Sequence, residues 1–505
     1  MTEESRLTRL EPGMQILVGG DRIVHVSAEL AEKFLPGDRL IAVRSAGADG
    51  DVLHIPRAIH EIATAAVTRA VEAFEALQTA SDEQITRFYE GFAERLSDAG
   101  IWSQISRANE YDVARAKEKG RSTTRLVADD KMRANMITGL RQWRDLPSRR
   151  DTVISTTEHQ GWFVDEIVSP CGVVAFVFEG RPNVLADATG VLRSGNTAVF
   201  RIGSDALGTA KAIMDLALIP ALTASDLPEG SVVLLESAEH SAGWALFADP
   251  RLALATARGS GKSVDLLGAI AREAGNDVSL HGTGGAWIIA DESADASKFE
   301  LAVYNSTDRK VCNTLNVVCI PRSRSADLVP RMLDALQRRG EKLGYGYRLH
   351  VAEGCEALIP KDLFTTETSV YRADGVRHEL LATVWPKNQL GHEWEWEQTP
   401  EVTFVAVSDL DEGIRLFNSQ SPRLVASLIS EDASAHERFL REINAPFIGN
   451  GFTRWVDGQY ALDRPELGIS NWRNGRLLAR TGILTGDGVY TIKLRVRQVD
   501  PDVHR

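Results

Sequence analysis

The chain has 505 residues, with 70 acidic side chains against 57 basic ones and four cysteines. That length serves two or three domains at ~100–200 residues each, so a large core can be buried without covalent staples. A net charge of −13 speaks against nucleic acid as a partner, since phosphate binding needs a basic surface. Hydrophobic residues at 43% and charged ones at 25% exclude a disordered chain.

Cys171, Cys312, Cys319 and Cys355 are widely spaced, with no CxxC or paired His/Cys spacing, so neither a disulfide framework nor a metal site is expected. The segment MTEESRLTRLEPG has no apolar core of a secretory signal, and runs such as VVAFVF (173–178) are strand-length. The expectation is a cytoplasmic protein with no membrane partner.

In chain order, MQILV, RIVHV, RLIAV and DVLHI between residues 10 and 57 are short β-rich runs separated by Gly and Pro. They predict a strand-rich appendage over 1–60. From about Ile62 the period becomes helical, with Val67, Val71, Phe74 and Leu77 on one face. A second helix opens at Ser81…Gln84, a capping-box spacing, and carries Ile85, Phe88, Phe92 and Leu96. Helix continues through about Trp143. Residues 151–168 alternate as a hairpin turned at His159-Gln160-Gly161. Strands 171–179, 196–202, 231–236 and 252–257 then alternate with helices around 184–193, 205–217, 239–248 and from 262. GAWIIA (285–290) begins a second run of the same kind, continuing through NVVCIP, EVTFVAV and LVASLIS. Strands apolar on both faces, alternating with helices, predict doubly wound parallel sheets.

Ligands bind open α/β sheets beyond the carboxyl ends of strands. After the first such strand comes Phe178-Glu179-Gly180-Arg181-Pro182-Asn183, where a guanidinium and an amide suit an oxyanion or a phosphate. The same residues also suit a plain turn with a surface ion pair. After the fourth comes Arg258-Gly259-Ser260-Gly261-Lys262-Ser263. It lacks the GxxxxGK[ST] spacing, yet its small residues feed a helix N-terminus that suits a dinucleotide's pyrophosphate. Packing alone also explains such glycines. Asn305-Ser306-Thr307-Asp308-Arg309-Lys310-Val311-Cys312-Asn313-Thr314 sets a thiol behind two cations that favour the thiolate, the nucleophilic form. Against this, most such cysteines are small buried hydrophobes, the reading for Cys171 and Cys319. In Trp394-Glu395-Trp396-Glu397 a carboxylate suits ribose hydroxyls or a solvated face. Asn450-Gly451-Phe452-Thr453-Arg454 suits an anion contact or a glycine turn with an exposed Arg.

The stretches PCGVVAFVFEGRPNVLADATGVLRSGNTAVFRIGSDA (170–206), NST…VCNTLNVVCIP (305–321), VSDLDEGI (407–414) and GNGFTRWVDG (449–458) resemble γ-glutamyl phosphate reductase. This family, also called glutamate-5-semialdehyde dehydrogenase, is a branch of the aldehyde dehydrogenase superfamily. RANEYDVARAKEKG (107–120) and LLARTG…GDGVYTIK (477–493) share the likeness, which covers about residues 62–500.

The resemblance implies an aldehyde dehydrogenase-like α/β fold: a cofactor-binding domain over 61–283 with its hairpin arm at 151–168, and a catalytic domain over 284–455. A C-terminal return and oligomerisation strand over 456–505 would follow, its segment 489–496 pairing with the arm. It implies that Cys312 attacks an acyl phosphate, expels phosphate and leaves a thioester that NADPH reduces to the semialdehyde, as in proline biosynthesis. The Cys312 N–H and Asn183 would hold the oxyanion. Arg181, Asn313, Thr453 and Arg454 would bind substrate; Arg201, Ser204, Asp205, Gly259, Ser260, Gly261 and Glu397 would bind NADP(H), with NAD not excluded. Implied partners are a small anionic acyl phosphate or aldehyde, the kinase that makes the acyl phosphate, and further copies of the chain in a dimer or tetramer.

Three departures stand out. Hydrolytic aldehyde dehydrogenases carry a water-activating glutamate before a Leu-Gly-Gly turn; here the turn is His281-Gly282-Thr283-Gly284-Gly285, with Gly282 in the glutamate's place and His281 the alternative base. The family's Gln-Arg-Pro becomes Asp308-Arg309-Lys310, and its Cys-Asn-x-x-Glu becomes Cys312-Asn313-Thr314-Leu315-Asn316. The alternatives are a hydrolytic or CoA-acylating aldehyde dehydrogenase, and a non-catalytic homologue with a binding or assembly role.

Overall fold

The computed structural model describes residues 7–18, 21–43, 51–121, 123, 126–178, 180–372, 375–472 and 482–504. Glu179 and the start of the family-like tail at 477–481 lie outside the described residues. The chain divides into two compact units. The first is 1–282 with 462–469 and 478–505; the second is 283–461 with 470–477.

Among the described residues the first unit holds a five-stranded parallel sheet. Its strands are β1 (Val173–Phe178), β2 (Thr197–Ile202), β3 (Val232–Leu234), β4 (Leu252–Arg258) and β5 (Val278–His281), in the order β5-β4-β1-β2-β3. The order reverses between β1 and β4, the place where open sheets leave a crevice. β1 shows why the strands read as continuous apolar runs. Val174, Phe176 and Phe178 enter one core, with the helices Asp82–Ser97 and Asp130–Asp145, while Val173, Ala175 and Val177 enter another, with Arg57–Leu77 and His240–Phe247. Both faces are covered, so every position along the strand is buried.

Local signals set the helices. Ser81 accepts from the Gln84 N–H and Gln84 returns a bond to the Ser81 N–H, the expected capping box. The stretch Leu207–Ala224 is long and apolar enough to span a membrane by length and composition, yet Ala210, Ile213, Ala217, Leu218 and Leu222 are packed fully into the core. Midway it loosens into a π turn at Met214–Leu218. Pro220 has no N–H to give the Leu216 carbonyl, which instead accepts from Arg95 Nε at 2.8 Å.

Before residue 57 the expected strands pair as two antiparallel hairpins, Gln15–Val18 with Arg22–His25 and Arg39–Val43 with Asp51–Ile55. Between them lies a short helix, Ala28–Lys33, capped by Ser27, which the β-rich composition had not signalled. Leu10, Val26 and Phe34 form a small core of their own there.

The arm is a hairpin, Val153–His159 with Trp162–Ser169, and Thr491–Gln498 adds antiparallel to its second strand. Gly161 takes φ +85° at the turn. One carboxylate ties the third strand to the second. Asp165 accepts from Arg495 at 2.9 Å and Arg497 at 2.7 Å, and from Thr156 at 2.8 Å. The Arg497 and Arg495 bonds, with that of Thr156, hold this carboxyl far below its usual range. Because its folded value is depressed, the stabilisation is present above the ordinary carboxylate value, ~3.9, and is lost as pH falls below it. Asp165→Asn is expected to speed hydrogen exchange of the 491–498 amides at neutral pH, read by mass spectrometry. The wild-type protein should lose the same protection on acidification.

The second unit holds, among the described residues, a seven-stranded parallel sheet. Its strands are β6 (Ala286–Ala290), β7 (Leu315–Pro321), β8 (Arg348–Ala352), β9 (Ala382–Trp385), β10 (Glu401–Val407), β11 (Val425–Ile429) and β12 (Phe447–Gly449). They run β9-β8-β10-β7-β6-β11-β12. β6, β7, β10 and β11 are buried along their whole length.

Candidate active site

Cys312 lies on the loop between the helix Ala296–Asn305 and β7, half-buried. Within the second unit, backbone and side-chain bonds grip this loop from several sides. The Cys312 carbonyl accepts from the Gly285 N–H at 2.7 Å and the Thr314 carbonyl from the Ala286 N–H at 2.9 Å. Thr314 Oγ1 accepts from the Val311 N–H at 2.9 Å and donates to the Arg309 carbonyl at 2.7 Å, closing the loop on itself. Such approach demands glycine opposite. A β-carbon built on Gly284 would lie 2.7 Å from both the Cα and the carbonyl oxygen of Cys312, and Gly285 takes φ +108°.

Three predicted site residues meet on the far side of the loop. Asn313 Nδ2 donates to the Val456 carbonyl at 2.7 Å, and its Oδ1 accepts from Arg454. Thr453 Oγ1 donates to the Asn313 carbonyl at 2.7 Å while its N–H donates to Ser306 Oγ at 2.8 Å. Arg454 Nε reaches Asp308 at 2.7 Å. Asn313 and Thr453 are buried, with their polar atoms committed to these bonds, so the geometry gives them the work of fixing the loop. Arg454 is only a tenth exposed rather than the solvent-facing arginine of a plain turn.

The departure at Asn316 acquires a physical account. Its Nδ2 donates to the His392 carbonyl at 2.7 Å and its Oδ1 accepts from the Trp394 N–H at 3.0 Å. A carboxylate could accept but not donate, so only the amide makes both bonds. Trp394 is braced further by Thr403, which accepts from its Nε1 at 2.8 Å, and by His350 stacked on its ring at 3.4 Å. This holds Glu393 toward the Cys312 loop, where it accepts from both the Gly284 N–H and Lys310 Nζ. Neither Glu393 nor the partner role of Lys310 was anticipated from sequence; the only signal was an acidic residue beside the Trp-Glu-Trp-Glu cluster. Glu397, the predicted ribose contact, is exposed on the same segment.

The remaining predicted residues belong to the first unit. Arg181 and Asn183 follow β1, both half-buried; Asn183 Nδ2 donates to Asp187 at 2.8 Å. Arg201, on β2, donates to the carbonyls of Ala238 and Glu239 at 3.1 and 3.2 Å. Burial lowers its pKa, and its Nε is buried without a partner among the described residues. Ser204 and Asp205 follow β2, where an unpredicted residue joins them. Arg121, at the end of the helix Ala99–Glu118 and its basic run, donates to both Asp205 oxygens at 2.6 and 2.8 Å. It also lies 3.5 Å from Ser204 Oγ. Burial opposes ionisation of Asp205, but the Arg121 bond and charge prevail and hold its pKa low. Gly259, Ser260 and Gly261 turn from β4 into the helix Gly261–Glu273, whose N-terminus has no side-chain cap. A helix start of this kind suits an anion. An uncapped helix start, a β2 end with an arginine and a hydroxyl, and a sheet crevice together fit a dinucleotide.

The other cysteines differ from Cys312. Cys319 and Cys355 are buried, and burial drives the Cys319 thiol far up. Burial, with Asp277, pushes the Cys171 thiol up to about 11. Cys355 Sγ accepts from the Ala406 N–H at 3.3 Å.

Two parallel α/β sheets, an added hairpin arm and these loops define an aldehyde dehydrogenase-like protein. The Aldehyde dehydrogenase family model matches residues 36–348, more than half of the chain, and the chain belongs to that family of oxidoreductases. It is 27% identical over 412 residues to a γ-glutamyl phosphate reductase of Thermotoga petrophila, covering 80% of this chain and 91% of that one. The crystal structure of the Thermotoga maritima γ-glutamyl phosphate reductase shares the fold, with a TM-score of 0.73 at 24% identity over 88% of this chain and all of that one. A Rhodopseudomonas palustris propionaldehyde dehydrogenase, solved with bound CoA and an acylated cysteine, shares it with a TM-score of 0.58. There the identity is 15%, over 86% of this chain and 97% of that one.

Gly284→Ala is expected to destabilise the protein by ~1–3 kcal/mol, because the new methyl meets backbone that cannot swing aside. Denaturant unfolding measures it; an unchanged midpoint would mean that the Cys312 loop yields.

Proposed function

We propose that the protein reduces an acyl phosphate, γ-glutamyl phosphate or a close analogue, to the semialdehyde and phosphate. The observation that carries this reading is the held loop of Cys312, a half-buried thiol whose backbone is fixed at both neighbours, in a chain with Gly282 where a hydrolytic relative keeps its base. The names of the relatives quoted above support the same substrate class.

In this reading the Cys312 thiolate adds to the acyl carbon, and the tetrahedral oxyanion collapses with loss of phosphate to leave a thioester. The Cys312 N–H, together with Asn183, stabilises that oxyanion. Asn313, Thr453 and the Arg454–Asp308 pair keep the attacking sulfur in place. Arg181 and Arg454 supply cations for an anionic substrate in a protein whose net charge repels it. NADP(H), bound by the turn 259–261 and the end of β2, supplies the hydride that reduces the thioester. Arg201 holds the 238–239 backbone beside that end, and Glu397 offers a carboxylate to a ribose. Arg121 and Ser204 are suited to a ribose 2′-phosphate, because the Asp205 charge that would repel it is already neutralised. We further propose a cytoplasmic enzyme of proline-type amino-acid biosynthesis, receiving its substrate from a kinase, and a homo-oligomer formed through the arm.

Run in reverse on glutamate semialdehyde, aldehyde-dependent NADP⁺ reduction should require inorganic phosphate or arsenate, and Cys312→Ala should abolish it while leaving nucleotide binding intact. Equal rates without either anion would point to hydrolysis instead, and rates restored by coenzyme A alone to an acyl-CoA chemistry. Arg121→Ala is expected to lower the NADP(H)-to-NAD(H) ratio of kcat/KM by about tenfold, as the loss of one charge-assisted contact would.

A further inference from the structure

One buried ion pair in the second unit is left unexplained by the reaction above. Lys310 has a side chain only 6% exposed, and Glu393 one 15% exposed. The two form a salt bridge, with Glu395 a second, exposed carboxylate 3.7 Å from Lys310 Nζ. Isolated buried charges of this sort are costly unless something is gained by holding them. The pair is also close to the nucleophile. A β-carbon placed on Gly284 would lie 2.7 Å from the Cys312 Cα and 2.7 Å from Glu393 Oε1. The carboxylate oxygen and the nucleophile's Cα are thus within twice that distance of each other.

A carboxylate beside a cysteine thioester is the group that hydrolytic chemistry needs. In this chain the residue expected to provide it is Gly282, so Glu393 is the carboxylate that the fold brings to Cys312 instead. It is not free to act. One of its oxygens accepts from Lys310 and the other from the Gly284 N–H. The Asn316 amide fixes its segment from both sides, at His392 and Trp394. The altered Asp-Arg-Lys and Cys-Asn-x-x-Asn segments therefore serve one arrangement: the first supplies the lysine and the second the clamp.

We propose that Lys310 is a specificity-determining residue that restrains Glu393 and so keeps water from the Cys312 thioester, reserving it for hydride or phosphate. The inference rests on the reading of Cys312 as the acylated nucleophile. Without the restraint, the Glu393 carboxylate accepts a proton from a water whose oxygen adds to the thioester carbon. The C–S bond then breaks, the proton returns to the departing thiolate, and a carboxylic acid and a free thiol are released.

p-Nitrophenyl acetate tests this without nucleotide, phosphate or the natural substrate. It acylates the thiol in a burst of nitrophenolate, and the steady rate that follows reports deacylation by water. Lys310→Met is expected to raise that steady rate at least tenfold. Lys310→Arg should restore the slow rate, and Lys310→Met with Glu393→Gln should lose the gain. Lys310→Gln carries the same test if the methionine variant does not fold. A full burst with an unchanged steady rate in the lysine variants overturns the proposal, as does acceleration that survives Glu393→Gln. A wild-type burst that persists in Cys312→Ala would instead remove the underlying reading of the nucleophile.

Discussion

The hydrogen bond from the Gly285 N–H to the Cys312 carbonyl is the constraint on which the second unit's candidate site depends. It joins the entry to β6 with the loop that enters β7, so Cys312 rides on two adjacent strands of one sheet. Strands apolar throughout cannot slide without exposing their side chains, and that rigidity passes directly to the thiol's backbone. Two glycines make the bond possible: at 284 there is no room for a methyl, and at 285 the backbone turns into a region that side chains avoid. On the other flank Thr453 and Asn313 repeat the device with side chains, each ending on a carbonyl of the opposing segment.

This economy extends to the charges. The loop carries Asp308, Arg309 and Lys310 in succession, yet Asp308 meets Arg454 and Lys310 meets Glu393. Each pairing joins the loop to a distant segment, so charges that look like surface decoration in the sequence act as tethers. The same logic ties the C-terminal strand to the arm through Asp165, and the end of the helix Ala99–Glu118 to the end of β2 through Arg121 and Asp205. An acidic protein of this kind neutralises its anions pair by pair where the chain must close.

Much of the architecture was legible along the chain. The run VVAFVF is apolar at consecutive positions and strand-length between turn residues, a pattern that suits a strand buried on both faces. Ser81 and Gln84 announced their helix, and His159-Gln160-Gly161 its hairpin. Less visible were features in which one element answers another. The π turn before Pro220 depends on Arg95, which takes over an abandoned carbonyl 121 residues away. The helix Ala28–Lys33 is too short to show a period, and only its Ser27 cap marks it. Cys312 stood out by its flanking cations, but one of those cations, Lys310, is bound to Glu393, which no local spacing connects to it.

The sequence alone determined the family-like order of strands, helices and small-residue loops, because hydrophobic period and turn chemistry are local properties. It also singled out one thiol among four. Tertiary structure decided which polar groups remain free to act. Asn313 and Thr453 are spent on the loop itself, Asp205 is claimed by Arg121, and Glu393 is drawn to the Cys312 loop under the hold of Lys310 and Asn316. The physical reason is that a hydrogen-bonding group's availability depends on whatever else the fold brings within about 3 Å of it, and that distance has no representation along the chain.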